Sequence, residues 1–120
     1  MKFIRKEDSQ KYEHSDKCTV YEYSFGDKDI DCAIAEISGR YPDSGFVVNN
    51  ECKELIYVLE GEGKVITRDN VIEFKEGDAF IIDSKEEYFW DARCKVLMPC
   101  TPAFTPDQYE HIEDIDENEL

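Results

Sequence analysis

Two short stretches confine this chain to few folds: Glu54-Leu-Ile-Tyr-Val-Leu-Glu-Gly-Glu-Gly63 and Gly77-Asp-Ala-Phe-Ile-Ile82. Each is a run of aliphatic and aromatic residues too short for a packed helix and bounded by glycine, which is how strands of a small β-domain are punctuated. The same grammar runs through the chain. Strands are predicted at Thr19–Phe25, Cys32–Ser38, Phe46–Val48, Leu55–Glu60, Lys64–Arg68, Val71–Phe74, Ala79–Ile82, Tyr88–Asp91 and Lys95–Met98, where β-branched and aromatic side chains suit a half-buried pleated surface. Gly61-Glu62-Gly63 reads as a short reversal, Asp69-Asn70 as a hairpin turn, Lys75-Glu76-Gly77-Asp78 as a further turn and Pro42-Asp43-Ser44-Gly45 as a loop. Only Ser9–His14 and Pro106–Ile115 have room for a helical turn. Many short strands at regular spacing mean an all-β sandwich or barrel.

At 120 residues the chain has the length of one domain with one core. The reading is a single β-barrel over 1–106, with its core at about 19–100, followed by an acidic tail at 107–120. That tail holds Asp107, Glu110, Glu113, Asp114, Asp116, Glu117 and Glu119 and no Lys or Arg, as a solvated, frayed end does. With 14 basic against 29 acidic residues the net charge is −15, which opposes binding to nucleic acid or an anionic membrane. Met1-Lys-Phe-Ile-Arg-Lys6 is followed by no apolar run of the secretory kind, so a cytoplasmic protein is expected. Cys18, Cys32, Cys52, Cys94 and Cys100 are odd in number and form no CxxC pair, so free thiols used as small apolar packing residues are expected.

Glu54-Leu-Ile-Tyr-Val-Leu-Glu-Gly61 resembles the second part of the first cupin motif, in which a histidine-x-histidine pair precedes a glutamate and a glycine follows. Gly77-Asp-Ala-Phe-Ile-Ile-Asp83 resembles the start of the second motif, which continues through a proline-glycine turn to another histidine. The resemblance spans roughly residues 30 to 100. It implies a cupin-type double-stranded β-helix, a jelly-roll barrel with few or no helices. The histidine positions of the first motif fall on Val48 and Asn50, or on Val47 and Asn49; that of the second falls on Tyr88, the proline on Asp83 and the turn glycine on Lys85. Only Glu54 remains of four expected ligands, and the two histidines, His14 and His111, stand outside both motifs. One carboxylate and an amide do not hold a divalent transition ion, so no metal and no cofactor are expected. An unusual site using Cys52, Glu54 and Cys94 is the remaining route to zinc; packing is the plainer role of those thiols.

By the same resemblance the cavity wall contains Glu54, Ile56, Tyr88, Trp90 and either Asn49 or Asn50. From its place just before Tyr41-Pro42, Arg40 is expected to reach over the mouth and hold an anionic group. A carboxylate on an inward strand face must be hydrogen-bonded, solvated or protonated; Glu54 is a ligand acceptor or, with Tyr88, the candidate acid–base pair. Pro99-Cys-Thr-Pro-Ala-Phe-Thr-Pro106 leaves the last strand extended, to cover the barrel or meet a second subunit. The resemblance also implies a homodimer. The expectation is thus a metal-free barrel binding a small molecule, sugar-like or sugar-acid-like. The alternatives are a metal-independent carbohydrate isomerase or epimerase, and a structural or regulatory dimer module that binds nothing.

Overall fold

Two long strands organise the molecule. In the computed structural model, which describes residues 1–113, nine strands follow one another: β1 (Gln10–Ser15), β2 (Cys18–Tyr23), β3 (Asp31–Tyr41), β4 (Phe46–Asn49), β5 (Lys53–Thr67), β6 (Val71–Lys75), β7 (Ala79–Ile82), β8 (Tyr88–Thr101) and β9 (Tyr109–Ile112). All ladders are antiparallel, and no α-helix occurs among the described residues. β8 lies between β3 and β5 along most of its length, and β4 takes the place of β3 at Val47↔Tyr88. β1 and β2 extend the sheet beyond β3, and β9 adds to β4. The other edge of β5 pairs first with β7 and then with β6. The sheet thus curls into the jelly-roll barrel expected.

The predicted reversal at Gly61-Glu62-Gly63 does not occur. β5 runs straight through it, so the two strands predicted at Leu55–Glu60 and Lys64–Arg68 are one. The register against β8 slips between Val58 and Glu60, a bulge that lets the strand bend. The glycines serve that bend and a close approach instead of a turn. Gly61 has φ +86°, and a Cβ there would meet the Arg93 carbonyl; a Cβ on Gly63 would overlap Ala92. Likewise Tyr88–Asp91 and Lys95–Met98 belong to one strand, β8, whose Tyr88, Trp90, Ala92, Cys94 and Val96 all face inward.

The ends also differ from expectation. Residues 10–15 form the edge strand β1 where a helical turn was allowed. Pro106–Gln108 is one 3₁₀ turn, and Tyr109–Ile112 continues as β9; the remainder of the acidic tail, from residue 114, lies outside the described residues. The stretch assigned to the tail therefore begins by supplying a buried side chain, Gln108, and a sheet strand.

The turn predictions at 69–70 and 75–78 hold, closed by Thr67 N–H to Asn70 O at 2.9 Å and Asp78 N–H to Lys75 O at 3.0 Å. At the second-motif turn Lys85 takes φ +67°, the left-handed conformation for which glycine is the natural residue, and it is the one non-glycine residue with positive φ among those described. Its N–H donates to the Asn49 carbonyl at 2.7 Å, so this turn holds the end of β4 in place.

The packed half of the barrel is aromatic. Phe74, Phe80 and Trp90 lie 5.5 to 6.0 Å apart, ring centre to ring centre, over Ile56, Val58, Val65 and Val96. Truncation of such a buried tryptophan costs about 3–5 kcal/mol. The other half is not filled.

Candidate functional site

Beside Trp90 the barrel holds a cavity of about 110 Å³ that opens to the outside. Glu54 enters it from β5, Asn49 from β4, and Tyr88 and Trp90 from β8. Strand parity accounts for Glu54: it shares the inward face with Ile56 and Val58, both fully buried, whereas Leu55 and Tyr57 point out. Its Oε1 accepts two hydrogen bonds, from Asn49 Nδ2 at 3.0 Å and from the Tyr88 hydroxyl at 3.3 Å. Burial raises its pKa from 4.5 to about 7, against the lowering effect of those two bonds and with a further push from Asp31. Burial, followed by the Glu54 charge, raises the Tyr88 hydroxyl well above its ordinary range, so it stays a donor.

Asn49 is held from both sides. Its carbonyl accepts the Lys85 N–H, and the loop after it is clamped by Gln108, whose Oε1 accepts the N–H groups of Glu51 and Cys52 at 3.1 and 2.6 Å. Gln108 Nε2 donates in turn to Thr105 Oγ1 at 3.3 Å. Asn49 is 3% exposed, and its Oδ1 has no hydrogen-bond partner. Of the two asparagines left open by the sequence, the structure thus brings Asn49 to the cavity. Asn50 faces away, its amide donating to the Gln108 carbonyl and to Glu110.

Arg40 is likewise not in the cavity wall. Its guanidinium lies 3.8 Å over the Phe89 ring and donates to the carbonyls of Pro42 and Gly45, which bind together the loop between β3 and β4. Ile56 belongs to the packed core, and Phe80 packs at a tilt against Trp90. The segment after β8 does cover the barrel: Phe104 N–H donates to Asp31 Oδ2 at 3.2 Å and the ring joins the cavity wall.

Several wall residues escaped the sequence reading. Asp31 and Glu22 enter from β3 and β2, and His14 from β1. Strand parity signals the first two, since Asp31 continues the inward series of Ala33, Ala35 and Ile37, and Glu22 that of Cys18 and Val20. Asp31 Oδ1 accepts the Cys100 thiol at 2.8 Å. Cys100 is held strongly protonated, first by a hydrogen bond with Cys52, then by burial and by Asp31. Burial lowers the pKa of His14, which favours the neutral ring. A second cavity of about 280 Å³ shares His14, Tyr41 and Tyr109 with the first, so the Tyr41–Tyr109 hydroxyl contact of 3.1 Å is part of the wall between them. His111 lines that second space and not the first.

The donors around Glu54 do not fit a divalent transition ion. Its carboxylate is joined by an amide whose NH₂ already points at it and by a phenol that stays protonated. Among the described residues no three His, Cys, Asp or Glu side chains are grouped to hold a metal, and Cys94 lies in the packed core. Among the described residues no helix is long and apolar enough to cross a membrane.

Comparison with known proteins agrees with this architecture. No curated protein sequence matches the chain. Among solved structures, Pac13, a nucleoside dehydratase from Streptomyces, has a TM-score of 0.83 at 15% identity, covering 99% of this chain and 98% of its own, and its variants have been solved with uridine. The polyketide cyclase RemF from Streptomyces resistomycificus has a TM-score of 0.70 at 16% identity, over 100% of this chain and 94% of its own. Ectoine synthase from P. lautus reaches 0.59 at 16% identity, over 82% and 78%. At such identities the likeness concerns the fold alone. The family model described as Cupin domain matches residues 44–96, the span from the loop before β4 to the middle of β8, so both the sequence match and the tertiary structure give this chain a cupin-type jelly-roll fold.

Proposed function

We propose that the chain is a small-molecule-binding cupin-type barrel whose ligand sits in the Glu54 cavity without a metal. The observation that carries this reading is the convergence of Glu54, Asn49 and Tyr88, from three strands, on an internal space backed by Trp90. A filled structural barrel has no need to keep a carboxylate and an unpartnered amide oxygen in a cavity, since both cost free energy to bury. Cupin-fold neighbours that act on small molecules support the same class. A thermal-shift screen of sugars, nucleosides and small metabolites tests it: a ligand of this site raises the melting temperature of the wild type, and Glu54→Gln weakens the response. Silence across a broad library, or a response that Glu54→Gln leaves untouched, refutes the site.

One observation favours a second reading, acid–base catalysis. A carboxyl with a pKa of about 7, hydrogen-bonded to a protonated phenol, is poised to take up and release a proton near neutrality. His14, held toward its neutral form in the same wall, adds a base that the motif positions lack. Exchange of solvent deuterium into a bound ligand, abolished by Glu54→Gln, is the measurement that selects this reading over binding alone.

A homodimer forms part of the proposal. Among the described residues β1 pairs on one side only, and Tyr57 and Ile81 stand exposed on the outer face of β5 and β7. Light scattering that returns the 14.0 kDa of one chain overturns it.

A further inference from the structure

We propose that the cavity is built for a small organic cation, a protonated amine whose body lies against the aromatic wall. This rests on the small-molecule reading above and narrows it to one chemical class. The first observation is charge. Glu22, Asp31 and Glu54, from three different strands, line one internal space, and no Lys or Arg lines it. No ion pair joins any of the three to a cation among the described residues. They repel one another: after burial, Asp31 helps to raise the pKa of both Glu22 and Glu54. His14 does not compensate, because burial disfavours its charged form.

The second observation is independent of charge. Asn49 is oriented by donating its NH₂ to Glu54, which leaves Oδ1 a buried acceptor with no donor. A ligand that satisfies it must bring hydrogen-bond donors. An ammonium group consists only of donors, three of them, and so matches a wall whose polar side chains offer carboxylates and this amide oxygen as acceptors. The third observation is the remaining surface. Tyr41, Tyr88, Trp90, Phe104 and Tyr109 line the same space, and desolvated cations are attracted to aromatic rings. A phosphate or carboxylate meets the opposite conditions, three carboxylates and no cation, so the sugar-acid class expected from the sequence is disfavoured.

Binding of such a cation is linked to protonation of Glu54. The groups around it from each element are Asn49 on β4, Tyr88 and Cys100 on β8, Asp31 on β3 and Tyr109 on β9, with Glu22 and His14 farther along the wall on β2 and β1. Of these, Tyr88, Cys100 and Tyr109 are all raised and stay protonated through neutrality. Glu54 must therefore lose its own proton to receive an ammonium. With its pKa at about 7, its ionised fraction rises roughly tenfold between pH 6 and pH 8.

The test uses three probes of one shape, benzylamine, benzyl alcohol and benzoate, titrated calorimetrically into the whole chain. The expected result is benzylamine at least tenfold tighter than benzyl alcohol, with no benzoate binding. Benzylamine affinity should also rise several-fold from pH 6 to pH 8, and Glu54→Gln and Asp31→Asn should each erase most of its advantage. Benzyl alcohol binding as well as benzylamine, or any benzoate binding, overturns the cation inference and leaves the binding reading intact. Benzylamine binding unaffected by either variant marks attraction to the acidic surface and also overturns it. If all three probes and a broad neutral library are silent, the binding reading itself fails.

Discussion

Glu54→Gln is predicted to stabilise the protein in a pH-dependent way, and the size of the effect follows from the cavity. Glu54 titrates near 4.5 when unfolded and at about 7 in the folded barrel, where burial outweighs its two hydrogen bonds. Below about pH 4 it is neutral in both states, and the glutamine variant and the wild type should be equally stable. Between those pH values the unfolded chain releases the proton and the folded chain keeps it, so wild-type stability falls as pH rises. Above pH 7 both states are ionised and the full penalty is present. A displacement of this size corresponds to about 3 kcal/mol at 1.36 kcal/mol per unit, an upper figure for one carboxylate. Glutamine keeps an oxygen to accept from Asn49 and Tyr88 but carries no charge, so it escapes the penalty. Urea unfolding of both proteins from pH 4 to pH 8.5 isolates the term, because the shared titrating groups largely cancel in the difference. The variant should gain by up to about 3 kcal/mol at pH 8, roughly 10 °C in melting temperature for a domain of this size. A difference that stays flat with pH, or a variant that loses stability as pH rises, refutes the account of Glu54 as a charge held against its preference.

Three further substitutions probe the scaffold around the site. Lys85→Gly should stabilise by about 0.5–1 kcal/mol in thermal or urea unfolding, since it relieves a side chain at φ +67° while leaving the N–H to Asn49 in place; a loss would mean the lysine side chain matters more than its backbone. Gln108→Ala should cost about 2–3 kcal/mol, because it leaves the Glu51 and Cys52 N–H groups without their acceptor, and an unchanged urea midpoint would refute the clamp. Gly63→Ala should cost about 3 kcal/mol or more, because its Cβ overlaps Ala92 on the neighbouring strand; folding at wild-type stability would show that β5 and β8 are less closely apposed than described.

Those scaffold residues mark where local pattern sufficed and where it misled. The turn glycine of the second motif was assigned to Lys85 from sequence alone, and that residue adopts the glycine-like conformation. Inward placement of Glu54, Tyr88 and Trp90 was also legible, because side-chain direction alternates along a strand and neighbouring apolar residues mark the buried face. Gly61 and Gly63 misled because glycine marks both a turn and a close approach between strands; the difference lies in Ala92 and Arg93, some 30 residues away. The choice between Asn49 and Asn50 shows the same limit. Adjacent residues point to opposite faces, and the register is held by Gln108 and Lys85, neither of which is a neighbour in sequence.

What the sequence by itself determined is the all-β class, the motif frame and an inward carboxylate, because these depend on residue type and a period of two. What only the tertiary structure decided is the company Glu54 keeps. Asp31, Glu22, His14 and Tyr109 reach its cavity from strands far apart in the chain, and Arg40 is drawn off to Phe89. Strand order and sheet curvature set those meetings, and no local pattern encodes them. A wall with three carboxylates and no lysine or arginine follows from that meeting.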